Sequence, residues 1–125
     1  MDVNINIDES IDDLQLNGLM LIQKQSGFRF GVDAVLLSDF ANVKKKHRVL
    51  DLCTGTGIVP FLLYGKYSPK EVWGVEIQED MVEMANRSSQ LNSTDDIVRF
   101  KCADLKDKKL VSELGRFDVI TVNPP

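Results

Sequence analysis

Residues 48–57 read Arg48-Val49-Leu50-Asp51-Leu52-Cys53-Thr54-Gly55-Thr56-Gly57. Arg48 to Leu52 is a short apolar run interrupted by one acid, which reads as a buried strand, and a Gly-x-Gly turn follows it directly. The segment from Ile58 to Tyr67 is expected to be a helix. A buried strand that passes through glycines into a helix is the opening move of an α/β unit.

The pattern repeats downstream. Glu71 to Ile77 reads as a second strand. Glu79 to Leu91 reads as a helix that turns Met81, Val82, Met84, Ala85 and Leu91 to the core. Ile97 to Cys102 is a third strand, Leu105 to Leu114 a weak short helix, and Phe117 to Val122 a fourth strand. Strands that alternate with helices predict a parallel sheet with right-handed crossovers. Such strands are covered on both faces and read as apolar runs. Upstream, the first dozen residues are polar and acidic, with Val3, Ile5 and Ile7 alternating, and fit either a frayed strand or disorder. Two apolar runs then flank Asn17-Gly18, the strongest short hairpin signal, because a type I′ turn needs positive φ at both central residues. Apolar residues at Val32, Val35, Leu36, Phe40 and Val43 have helical spacing.

The chain has 125 residues, 43% hydrophobic and 27% charged. That is the composition of one soluble domain. No apolar stretch approaches the roughly 18–20 residues of a membrane span, and the first ten residues lack the features of a signal peptide. Two cysteines fit a reducing compartment, so a cytoplasmic location is expected. The formal charge of −4 carries no general basic face. The one dense basic run, Lys44-Lys45-Lys46-His47-Arg48, reads as a solvated loop or as a phosphate-contacting patch. With a single histidine and no cluster at ligand spacing, neither a metal site nor a nucleophilic triad is expected. Cys53, Cys102 and Trp73 read as packing residues, and His47 as exposed.

The glycine turn lies where open α/β sheets bind ligands, beyond the carboxyl end of a strand. It also suits a purely structural turn. A dinucleotide fingerprint would place a third glycine or alanine where Pro60 stands, and Asp51 would repel a pyrophosphate. A cofactor with a positive centre and no phosphates fits better, and S-adenosylmethionine is the candidate. Gly55 and Gly57 would let backbone approach it, and Asp51 would accept from its amine or from ordered water. Glu76, about twenty residues on, can accept two hydrogen bonds from ribose hydroxyls, or can cap the helix that begins near Gln78. Asp104 can accept from an adenine amine or serve as a helix N-cap. Ile77 and Leu105 can sandwich the adenine ring or belong to the core.

Asp118-Val119-Ile120-Thr121-Val122-Asn123-Pro124-Pro125 is the most specific string. An amide or exocyclic nitrogen is a poor nucleophile because its lone pair is delocalised. Two acceptors aimed at its N–H groups localise that pair and point it at a methyl donor. The side-chain oxygen of Asn123 and the carbonyl of Pro124 can do this, and the prolines pre-place them. The bland alternative is a strand that ends in a proline turn.

These motifs together resemble a class I S-adenosylmethionine-dependent methyltransferase of the Asn-Pro-Pro type. More narrowly, the chain resembles the bacterial tRNA adenine-N6 methyltransferases of the valine-tRNA type. The carriers are residues 27–37 (Gly27-Phe28-Arg29-Phe30-Gly31-Val32-Asp33-Ala34-Val35-Leu36-Leu37), the 51–57 turn, Val75-Glu76 and Asn123-Pro124-Pro125. The resemblance implies a Rossmann-like fold, a tRNA substrate, and a segment of residues 1–47, with Gly31 and Asp33, that closes over the methionine end of the cofactor. Asp33 as a helix cap is the alternative. Residues 48–125 would form the cofactor-binding half. That family has seven strands in the order 3-2-1-4-5-7-6 and an aromatic residue after the second proline. Four strands are legible here, so the chain is expected to be an amino-terminal part, inactive alone, with its fourth strand as an exposed edge open to homodimerisation. Methylation of a protein glutamine amide, or cofactor binding without turnover, are the rival readings.

Overall fold

The structure, a computed structural model, describes residues 3–26 and 31–124. Strands β1 (Glu9–Asp13) and β2 (Met20–Lys24) form an antiparallel hairpin. Helix α1 (Val32–Phe40) follows. Then come β3 (Arg48–Leu52), α2 (Ile58–Tyr67), β4 (Glu71–Glu76), α3 (Glu79–Leu91), β5 (Val98–Cys102), α4 (Lys109–Leu114) and β6 (Val119–Val122). The second sheet is parallel, in the order β5-β4-β3-β6. The chain thus builds outward from β3 in one direction, then returns to pair β6 on its other side. That reversal leaves a crevice at the carboxyl ends of β3 and β6.

Strand parity decides what each face holds. Val49, Val72, Val98 and Phe100 turn to the side covered by α1, α2, α3 and the hairpin, where Phe61 and Leu63 are fully buried. Leu50 and Val75 turn to the other side and pack against Leu110 of α4, flanked by Trp73 and Phe117. This second face is thinly covered: Ile120 is 59% and Val122 49% exposed. A shallow apolar groove of about 450 Å³ runs there between Leu50, Leu52, Ile120 and α4.

The hairpin is tied to α3 by side chains that act as a substitute strand. Asn92 accepts from Met20 N and donates to Met20 O, both at 2.8 Å, and Ser88 Oγ accepts from Ile22 N at 2.9 Å. Arg87 forks onto the buried carboxylate of Glu9 with two 2.7 Å bonds, and this hydrogen bonding holds the carboxyl below its usual range.

Several element bounds differ from expectation for local reasons. Asn17 (φ 52) and Gly18 (φ 73) form the expected turn, closed by Leu19 N to Leu16 O at 3.0 Å. Gln15, at φ 57, leaves the ladder, so the paired strands lie further out than the apolar runs flanking the turn. Helix α1 stops at Phe40, because Ala41 is extended, and Val43 returns to the core. Helix α4 starts at Lys109, after the carboxylates of Asp104 and Asp107 have each bound a backbone N–H two residues on. Cys102 is exposed and Cys53 half-buried, so neither is a core residue. His47 is half-buried and accepts from Lys44 N at 3.0 Å through Nδ1.

Candidate active site

A cleft of about 900 Å³ opens at the carboxyl ends of the parallel strands. Every strand of that sheet delivers a residue to it: Cys53 and Thr54 after β3, Glu76 at the end of β4, Ala103 and Asp104 after β5, and Asn123 after β6. Its size lies within the range of small-molecule sites.

The turn after β3 is built on positive φ at Cys53 (56°), Gly55 (58°) and Gly57 (90°). It is fastened by Thr54 N to Val75 O and Gly57 N to Thr54 O, both at 3.0 Å. Gly55 faces the cleft, while Gly57 is buried and lies off its wall. A Cβ on Gly57 would stand 2.6 Å from Cζ of Phe100, so this glycine admits an aromatic ring rather than a ligand.

Glu76 is 7% exposed and lies on the wall. Its Oε1 accepts from Gly55 N at 3.0 Å and its Oε2 from Gln78 N at 3.1 Å. The two bonds fix the carboxylate between the glycine turn and the start of α3. Each oxygen keeps a second lone pair for a ligand hydroxyl. The carboxylate braces the N–H of Gln78, the residue that caps α3, rather than capping the helix itself.

Asp51 lies beneath the cleft, off its wall, and is 1% exposed. The reading of Asp51 as a residue that reaches a cofactor amine does not match this placement. Strand parity turns its carboxylate to the helix-covered side, where Thr54 Oγ1 donates to Oδ2 at 2.7 Å and Thr121 Oγ1 donates to Oδ1 at 2.6 Å. Burial pushes its carboxyl up to about 6, against the opposing pull of the two hydroxyls.

Ile77 is 61% exposed and lies on the wall, as do Leu105 and Asp104. Asp104 begins a turn, accepting from Lys106 N at 2.9 Å, and is not the cap of α4. Gly31 and Asp33 also line the cleft. Gly31 occupies the N-cap position of α1, so Asp33 is a first-turn residue and not the cap. Asn123 is on the wall and exposed; Pro124 is exposed. Pro125 lies outside the described residues, as do residues 27–30 of the stretch that carries the resemblance.

Sequence reasoning missed four features of the wall. Met84 is a core residue as its helical spacing predicts, 1% exposed, but it also lines the cleft, as does the half-buried Met81. Lys24 reaches it from the hairpin and pairs with Asp80 of α3 at 3.2 Å. Only a fold that lays β2 against α3 brings those two together, and nothing local in the sequence signals it. Among the described wall residues, Asp33, Glu76, Asp80 and Asp104 face only Lys24 and Lys106 as full cations. An acidic cleft repels phosphates and suits a cationic ligand. The described residues contain no group of acidic, histidine or cysteine side chains placed to hold a metal, and no helix long and apolar enough to cross a membrane.

Comparison with known proteins agrees with this architecture. Residues 43–124 match the family described as "Methyltransferase domain". The tRNA1(Val) (adenine(37)-N6)-methyltransferase of Porphyromonas gingivalis is 31% identical over 109 residues, which cover 82% of this chain and 43% of that protein. The protein of the same name from Bacteroides thetaiotaomicron is 32% identical over 98 residues, covering 78% and 40%. This chain thus spans less than half the length of these curated relatives. The Pyrococcus abyssi tRNA (uracil-54, C5)-methyltransferase, crystallised with S-adenosyl-L-homocysteine, superposes with a TM-score of 0.67 at 22% identity, over 94% of this chain and 28% of that one. That likeness shows the shared fold. With the family match spanning most of its length, the chain belongs to the methyltransferase domain family.

Proposed function

We propose that this chain binds S-adenosylmethionine in the cleft and serves a methyltransferase that acts on the N6 amine of an adenine in tRNA. One observation carries the reading: Asn123 and Glu76 open onto the same cleft from opposite sides of β3. The wall fits the cofactor in its chemistry. Glu76 offers paired acceptors to a ribose, the exposed apolar side chains of Ile77 and Leu105 offer faces to a purine, and Asp104 offers an acceptor to its amine. Gly31 and Asp33 border the same space, and the acidic wall suits a sulfonium.

Bound there, the cofactor supplies an electrophilic methyl group. The residues of the chain do the rest. The Asn123 side-chain oxygen and the Pro124 carbonyl accept from the two N–H bonds of the target amine, localise its lone pair and aim it. Pro124 restricts that segment so that the acceptors are placed in advance. The relatives named above favour adenine in tRNA as the target, and a cytoplasmic location goes with such a substrate.

The test is titration calorimetry of the purified chain with S-adenosylhomocysteine, with Glu76→Ala as the comparison. The variant loses the ribose acceptors and the clamp on Gly55, so its affinity is expected to fall about thirtyfold, or ~2 kcal/mol. A folded wild-type chain that fails to bind would sink the proposal.

We also propose that the outer edge of β6, flanked by exposed Ile120 and Val122, pairs with a second copy of the chain. Sedimentation velocity should show a dimer that grows with concentration. A clean monomer at several hundred micromolar, on the order of the highest workable concentration, would count against it.

A further inference from the structure

The cleft leaves one buried charged group without a ligand to bind. Asp51 is 1% exposed, and both of its oxygens are taken by threonine hydroxyls. Burying a carboxylate is costly, and an apolar residue of similar volume would pack at lower cost. Its two partners show what the carboxylate supplies. Thr54 belongs to the turn that leaves β3, and Thr121 belongs to β6, two residues before Asn123. Within the sheet these strands are held by their ladder, which ends at the pair Leu52 and Val122. The side chain of Asp51 links the turn after β3 to β6 one residue before the ladder stops.

Resting on the methyl-transfer reading, we infer that Asp51 is a positioning residue that fixes the glycine turn and the Asn123 segment relative to each other. The connection is continuous. Asn123 follows Thr121, which donates to Oδ1 of Asp51 at 2.6 Å. Oδ2 accepts from Thr54 at 2.7 Å. Thr54 precedes Gly55, whose N–H is held by Glu76 at 3.0 Å. The acceptor that aims the target amine and the carboxylate that holds the cofactor ribose are thus referred to one buried group. Hydrogen bonds to an ionised acceptor away from water are short and stiff. Methyl transfer needs its donor and acceptor aligned within a fraction of an ångström, and misplacement is penalised steeply.

Thr121→Val removes the donor at nearly constant shape, and Thr121→Ser keeps it. Neither Thr121 nor Asp51 touches the cleft. Asn123 follows Thr121 along the backbone, so it is the response of Gly55 that reports the link through the carboxylate. In the ligand-free chain, Thr121→Val is expected to shift the backbone amide resonance of Gly55 as well as that of Asn123. Thr121→Ser should leave both near their wild-type positions. Thr54→Val, acting from the other side, should move Asn123, and it carries the test if Thr121→Val does not fold. Affinity for S-adenosylhomocysteine should fall about tenfold in Thr121→Val and by less than about twofold in Thr121→Ser. A Gly55 resonance unmoved by Thr121→Val, or an Asn123 resonance unmoved by Thr54→Val, overturns the inference. If both resonances respond but the wild-type chain does not bind S-adenosylhomocysteine, the joint stands and the methyl-transfer reading fails.

Discussion

Gly57→Ala is expected to destabilise the chain by about 4 kcal/mol, read as a lowered midpoint in urea denaturation. Two costs combine. Gly57 has φ 90°, in the left-handed region, where an alanine pays about 1–2 kcal/mol. The added Cβ would also lie 2.6 and 2.8 Å from two ring carbons of Phe100 and 3.3 Å from Phe61. Phe100 cannot retreat. It is 6% exposed and its ring centroid is 5.7 Å from that of Phe61. On its own sheet it lies across from Gly74, where a Cβ would likewise stand 2.6 Å from the ring. The two glycines form a slot that admits an aromatic ring between the glycine turn and the sheet. Overpacking of such a site costs a further 1–3 kcal/mol or so. Gly55→Ala is the control. It has φ 58°, but nothing lies within 4 Å of its Cβ, so only the conformational cost of about 1–2 kcal/mol applies. Equal losses in the two variants would refute the slot.

This contrast also shows where the sequence stops being informative. The Gly-x-Gly turn is legible because glycine before a helix has few local explanations. What separates the two glycines is Phe100, 43 positions after Gly57 and in a different strand, and no local pattern announces it. The same holds for Asp51. An acid at a strand end is visible, but its direction follows from parity within a sheet whose faces are known only once α2 and α3 are placed. Its partner Thr121 lies 70 positions away. Glu76 was readable because its spacing from the glycines is set by one strand–helix–strand unit. The two hydrogen bonds it accepts from Gly55 and Gln78 were not, since both donors are backbone groups. Met81 and Met84 have the spacing of core residues, and Met84 is one, yet both also border the cleft beyond the strand ends, which helical spacing alone does not reveal. The wide hairpin follows the same rule. The Asn17-Gly18 turn was encoded in two residues, while the register of its strands depends on α3, which supplies Asn92, Ser88 and Arg87 as their anchors.

Asp51→Asn is expected to make the chain more stable at pH 7, by at most about 3 kcal/mol, while weakening its affinity for S-adenosylhomocysteine. The carboxyl stands near 6 in the folded chain, against an ordinary aspartate value of 3.8. Below pH 4 it is protonated in both states, so the folded protein bears no charge penalty there. As pH rises through 6 the folded chain must ionise a group held away from water, and the favourable contribution present at low pH is lost. At about 1.4 kcal/mol per unit, the interval sets the upper figure. Asparagine keeps the shape and never ionises, so its advantage should grow between pH 4 and pH 6 and level off above. Carboxylates such as Glu9 and Asp80 behave in the opposite sense. Hydrogen bonds from Arg87 and Lys24 hold them low, so they cost stability as the solution turns acidic. They are common to both proteins and cancel in the difference between the two curves, measured by urea denaturation at a series of pH values. A difference that stays flat from pH 4 to pH 8 would mean that Asp51 titrates as it does in the unfolded chain. A difference that grows while affinity for S-adenosylhomocysteine drops would identify a group retained against stability. The amide can offer only one oxygen to two hydroxyls, so the reference between the glycine turn and β6 is relaxed even as the fold itself gains.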